Sequence, residues 1–154
     1  MTKQGQSFII KLRFSVEGKI MNILVIDAQG GGIGKQLVSA IKQNMPTLNI
    51  TAVGTNVSAT AQMLKAGADN GATGENAVVV GCRSADVIVG PIGIIIADSM
   101  LGEVTEKMAT AVARSDAKKI LIPFNNCQTF ITGVKNASIS EMIAETIQKL
   151  ENLL

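Results

Sequence analysis

The stretch that most constrains the fold is Asn22-Ile-Leu-Val-Ile-Asp27 followed by Ala28-Gln-Gly-Gly-Gly-Ile-Gly-Lys35. A short apolar run of this kind reads as a buried strand. It gives way to four glycines within five residues, Gly30, Gly31, Gly32 and Gly34. Beyond them Ile33, Leu37, Ile41 and Met45 recur every four residues, the pattern of an amphipathic helix. Strand, tight glycine turn and helix opening together make a phosphate site. Glycine lets the backbone come close to an oxygen-rich ligand, and unpaired N–H groups and the helix dipole favour an anion.

The remaining chain repeats that alternation. Pro46 ends the first helix, and Ile50–Gly54 reads as a second strand. Asn56 or Ser58 caps a short Ala-rich helix that stops at Gly67. Ala72–Gly74 reads as a short strand. In Glu75–Ser84, Val78-Val-Val80 favours a strand, whereas length and position favour a helix. Asp86–Gly90 is a strand closed by Pro91, and a helical pattern runs from Ser99 to Arg114 with a break at Gly102. Lys119–Pro123 and Thr129–Val134 read as further strands. Ser138-Ile-Ser-Glu141 is a capping box opening a terminal helix. Strands alternating with helices predict an α/β fold: a single Rossmann-like, doubly wound, mostly parallel sheet with helices on both faces.

At 154 residues the chain fits one domain, and no apolar run reaches the ~18 residues a membrane helix needs. Residues 1–20 read as an N-terminal extension to a domain spanning 21–154. Ile10, Leu12, Phe14 and Val16 alternate with Lys11, Arg13 and Ser15 as in a half-buried strand. Translation from Met21 is nevertheless the expectation, because Glu17-Gly18 would be encoded by purine-rich codons resembling a ribosome-binding site. Recovery of an intact Met1 terminus by mass spectrometry would overturn it.

Charge bounds the partners. Lys and Arg number 14 against 12 acids, but Lys3, Lys11, Arg13 and Lys19 precede Met21 with only Glu17 among the acids. The body is thus near neutral, and with no Trp or Tyr it lacks the basic, aromatic surface that nucleic-acid binding requires. Two cysteines and no histidine leave no disulfide framework, no zinc site and no His-based acid or base, in keeping with a reduced, cytoplasmic protein.

The glycine turn admits three readings. Against the dinucleotide pattern GxGxxG, Gly30 and Gly32 fit, Lys35 stands at the third position and Gly34 comes one residue early. The turn resembles that of short-chain dehydrogenases, with Asp27 and Ala28 in place of Thr-Gly. That family's Tyr-x-x-x-Lys redox mechanism is excluded in a chain without tyrosine. As a P-loop, Gly31-Gly-Ile-Gly-Lys35 resembles a Walker A core with Lys35 reaching phosphate. Gln36 there replaces the hydroxyl that holds Mg²⁺, which favours binding over hydrolysis. The third reading is that the glycines serve only close helix–strand packing.

A nucleotide or dinucleotide of the NAD or NADP type, with ATP or GTP as alternatives, is the expected ligand. Gly30, Gly31, Gly32 and Gly34 would form its cradle, Lys35 would supply charge, and Thr55 and Asn56 would contact the ribose. Asn56 serves equally as a helix cap. Topology also gathers Asp27, Thr73, Glu75, Asp98, Ser99, Asn125, Asn126 and Cys127 at the strand ends. Asp27 is expected to accept backbone N–H bonds that hold the turn, and Asp98 and Ser99 to cap a helix. Cys127 is expected to be an inert packed thiol, and Glu75 and Glu103 to be solvated loop carboxylates. No metal site is expected. A lone domain has no second domain to close its cleft, which points to a homo-oligomer. The alternatives are a phosphate-handling enzyme using Asp27 or Asp98 with a metal, and a non-catalytic sensor or scaffold.

Beyond the turn, the segments MNILVIDAQGGGIGK, AVGTN, MLKAGADNGATGEN, DVIVGPIGIIIADSMLGE and KKILIPFNNC resemble a family of short bacterial proteins described as a domain of unknown function. The resemblance runs from Met21 to about Leu150 and implies a Rossmann-like domain; it assigns no catalytic residue.

Overall fold

Five apolar segments pair side by side into one parallel sheet in the order β3-β2-β1-β4-β5. The computed structural model describes residues 20–123 and 129–154. In it β1 is Asn22–Asp27, α1 Gly32–Asn44, β2 Asn49–Gly54, α2 Val57–Lys65, β3 Asn70–Thr73 and α3 Glu75–Ser84. Then follow β4 Val87–Pro91, a 3₁₀ turn Ile92–Ile95, α4 Glu106–Arg114, β5 Lys118–Ile122 and α5 Ile139–Leu153. Register runs Ile23↔Ile50 and Ile23↔Val87, which makes β1 the central strand.

Alternation along the strands splits the core into two layers, because successive side chains leave a strand on opposite faces. Ile23, Val25, Ile50, Val87 and Val89 face a cluster closed by Leu37 and Ile41 of α1, Met63 of α2 and Ile147 and Leu150 of α5. Leu24, Ile26, Val53 and Ile88 face the other way, against Val78 and Cys82 of α3 and Met108 and Val112 of α4. This is the doubly wound, Rossmann-like arrangement. The glycine turn follows the strand at which the strand order reverses, the point where such sheets open a crevice.

The Val78-Val-Val80 segment is helical. Parallel strands β3 and β4 need a crossover, and the modest helix penalty of valine is outweighed by burying Val78 in the second layer. Two expectations are corrected. Helix does not begin at Ser99: the chain passes through positive-φ residues Asp98, Met100, Leu101 and Gly102, and Thr105 caps α4, its side chain accepting the Met108 N–H. Ser99 and Asp98 therefore cap nothing; the Ser99 hydroxyl is buried and donates to the Gly93 carbonyl.

Thr129–Val134 is not a strand. Gly133 takes a φ of 87° inside it, and Phe130 is 93% exposed, so the segment has no face to bury. The expected capping box at Ser138 and Glu141 forms in full, with both reciprocal hydrogen bonds present. The strand pattern within residues 1–19, together with Asn125, Asn126 and Cys127, lies outside the described residues. Among those described, no helix is long and apolar enough to cross a membrane.

Candidate functional site

The site is built where the carboxyl ends of β1 and β2 meet the mouth of α1. Asp27, the last residue of β1, is only 4% exposed. Its carboxylate accepts the Ala28 N–H at 2.8 Å and the Gly34 N–H at 2.6 Å. As expected from the sequence, this carboxylate holds the turn together. Burial pushes its pKa up, against the opposing pull of those N–H groups, and the negative charge of Glu103 pushes it further up.

The four glycines divide into two pairs. Gly31 sits at φ 71°, and a Cβ there would meet the Ala59 backbone at 2.8 Å. Its N–H donates to the Ala28 carbonyl. Gly34 is buried, and a Cβ there would lie 2.6 Å from Met63 Sδ and 2.8 Å from Asp27 Cβ. Both positions require glycine for packing, and both N–H groups are committed to protein acceptors.

Gly30 and Gly32 differ. Both are exposed, and a Cβ on either would meet no described residue within 4 Å. Among the described residues no protein acceptor takes their N–H groups, which stand at the positive end of the α1 dipole. Lys35 is exposed one turn into the helix.

Thr55 and Asn56 are brought to the edge of the same turn. The Thr55 N–H donates to the Asp27 carbonyl. Asn56 caps α2 through its Oδ1, which accepts from Ala59, while its Nδ2 donates to the Gln29 carbonyl. A residue that spacing did not single out completes the group. Glu103, which arrives from the β4–α4 connection, takes three donors on one oxygen: the Gln29 N–H at 2.6 Å, Thr55 Oγ1 at 2.7 Å and Asn56 Nδ2 at 3.1 Å. The Gln29 N–H is the leading cause that holds the Glu103 pKa below the usual carboxylate range, with Thr55 and Asn56 adding to it. Glu103 is thus no solvated loop carboxylate.

Glu75 accepts from Thr105 Oγ1 and pairs with Lys107, and Thr73 Oγ1 meets Thr60 Oγ1 at 2.7 Å; their side chains are engaged there and not with the glycine turn. A cavity of about 740 Å³ occupies another part of the molecule, between β5 and α5, where Ile92, Ile122, Ile131, Val134 and Met142 line it. Its wall reaches Pro123, where the described residues break off.

With this geometry in place, the chain can be set beside known proteins. A family model described as "Domain of unknown function (DUF3842)" matches residues 22–154. The chain belongs to the DUF3842 family. No curated protein matches it. Among solved structures, it is similar to a dodecameric FMN-dependent UbiX-like decarboxylase from Escherichia coli O157:H7 at 18% identity and a TM-score of 0.44. That alignment covers 86% of this chain and 76% of the decarboxylase chain.

Proposed function

We propose that this DUF3842 domain binds a nucleotide-type ligand at the crevice outside β1 and β2. Its phosphate would rest on the N–H groups of Gly30 and Gly32, and its ribose would lie toward Thr55 and Asn56. The observation that carries this reading is the pair of exposed, unobstructed glycines at the mouth of α1, beside two glycines whose bareness packing alone accounts for. Missing side chains that relieve no clash leave room for a close approach from outside. Lys35 adds a cation at the same rim, while Gly31 and Gly34 hold the backbone in shape. NAD and NADP are the leading ligands, with ATP and GTP next.

Binding without metal chemistry is favoured over phosphate-handling catalysis, because both oxygens of Asp27 already accept backbone N–H groups. The protein would work in the cytoplasm as a homo-oligomer whose neighbouring protomer closes the open crevice.

The test is a thermal-shift panel of NAD, NADP, ATP, GTP and FMN with and without Mg²⁺. A ligand at about 100 times its Kd adds roughly 2.7 kcal/mol. Gly32→Val, whose Cβ meets no described residue within 4 Å, abolishes that shift without lowering the unliganded Tm. A panel with no shift, or a Gly32→Val variant that binds as wild type does, overturns the reading.

A further inference from the structure

The Gln29 N–H and the adjacent Thr55 Oγ1 and Asn56 Nδ2 come from two separate stretches of the chain and converge on a single oxygen. That is the arrangement of a small acceptor subsite, and the occupant is the protein's own Glu103.

The connection that delivers Glu103 is built like a clasp. Its feet are fixed: Ser99 and Val104 are buried, and the Val104 N–H donates to the Ser99 carbonyl. Gly93 leaves room for the strap, since a Cβ there would strike Met100 Cε at 2.6 Å. Between the feet the backbone is left-handed at Met100, Leu101 and Gly102, and Leu101 at the tip is 96% exposed. Apart from the Glu103 carboxylate, the hydrogen bonds that hold the tip are local, Gly102 N–H to the Asp98 carbonyl and Glu103 N–H to the Met100 carbonyl. Non-glycine residues in the left-handed region persist where their surroundings hold them, so an arch with an exposed apolar tip and one polar anchor is poised to release.

We infer that residues 99–104 form a self-occupying strap. Glu103 holds the place of an acceptor oxygen of the ligand, and ligand entry lifts the strap. This rests on the ligand site proposed above. It follows chemically: a phosphate on the Gly30 and Gly32 amides would lie beside the Glu103 carboxylate, which repels it. The three donors freed by Glu103 are suited to phosphoryl or ribose oxygens, so the ligand replaces the interactions it removes. A site whose competent state is only partly populated shows an apparent Kd raised by the reciprocal of that fraction.

The experiment is a titration of the full ¹⁵N-labelled chain with pyrophosphate, in wild type, Glu103→Ala and Glu103→Gln. Glu103→Gln keeps the shape and one acceptor and so reports on charge if the alanine variant fails to fold. Amide shifts of Gly30 and Gly32 read binding, and hydrogen exchange at Gly102 and Glu103 (the residue at 103 in the variants) reads the strap. Binding at least about tenfold tighter in Glu103→Ala, a smaller gain in Glu103→Gln, and faster strap exchange in the liganded wild type are expected. Equal affinity in all three chains, or strap exchange unchanged by saturating pyrophosphate, overturns the strap while leaving the site intact. If Gly30 and Gly32 shift in none of the three chains, the ligand site itself is wrong.

Discussion

Gly34→Ala separates packing from ligand approach at the glycine turn. The new methyl would lie 2.6 Å from Met63 Sδ, 2.8 Å from Asp27 Cβ and 3.0 Å from Met63 Cγ. Neither neighbour has room to give: Met63 is fully buried, and Asp27 is fixed by its own strand and two N–H bonds. Overpacking of this kind costs about 1–3 kcal/mol. Alanine recovers roughly 0.5–1 kcal/mol over glycine inside a helix, so a net loss of about 1–2 kcal/mol is expected. For a domain of this size that lowers Tm by about 2–8 °C. Gly32→Ala is the matched control, since its methyl meets nothing within 4 Å and should leave Tm level or slightly raised. Calorimetry on both variants decides the matter. If Gly34→Ala melts at or above Gly32→Ala, the close approach of α1 to β1 and α2 is not what demands glycine there.

Three further outcomes follow from the same geometry. Asp27→Ala leaves the buried Ala28 and Gly34 N–H groups without their acceptor and should cost about 1–3 kcal/mol by urea denaturation; no loss would mean that the carboxylate does not hold the turn. Because the Glu103 pKa is lowered on folding, chiefly by the Gln29 N–H, its stabilising contribution is present above about pH 4.5 and fades as pH falls below it. The stability gap between wild type and Glu103→Gln should accordingly narrow with acidification, and a gap constant from pH 7 to pH 3 refutes the assignment. Burial pushes the Cys82 thiol up to about 11, so in a Cys127→Ser background it should resist a thiol reagent at pH 8 until the protein unfolds.

The sheet was legible because buried parallel strands leave uninterrupted apolar runs such as Ile23–Ile26, flanked by Asn22 and Asp27, and Val87–Val89, closed by Gly90 and Pro91. Capping chemistry was equally readable at Asn56 and Ser138, where one local side chain decides the outcome. The failures share a cause. The spacing of Ser99–Arg114 suits a helix, and nothing in Met100 or Leu101 announces a left-handed backbone, which ordinary residues adopt only when tertiary contacts impose it. Thr129–Val134 has strand composition but no covered face, and composition alone does not supply one.

The same dependence on distant partners explains why the glycine turn looked uniform and is not. Adjacent glycines are equivalent as sequence, yet Gly31 is bare because Ala59 crosses it and Gly34 because Met63 does, whereas no described residue crosses Gly30 or Gly32. Glu103 presents the sharper case. Its partners lie 74 residues away at Gln29 and 48 away at Thr55, and it reaches them only because strand reversal sets the β4 connection beside the β1 turn. A carboxylate is therefore brought to the end of β2 from another strand's loop. It competes for the crevice instead of simply lining it, so what enters must offer the Gln29, Thr55 and Asn56 donors an acceptor at least as good as the one it expels.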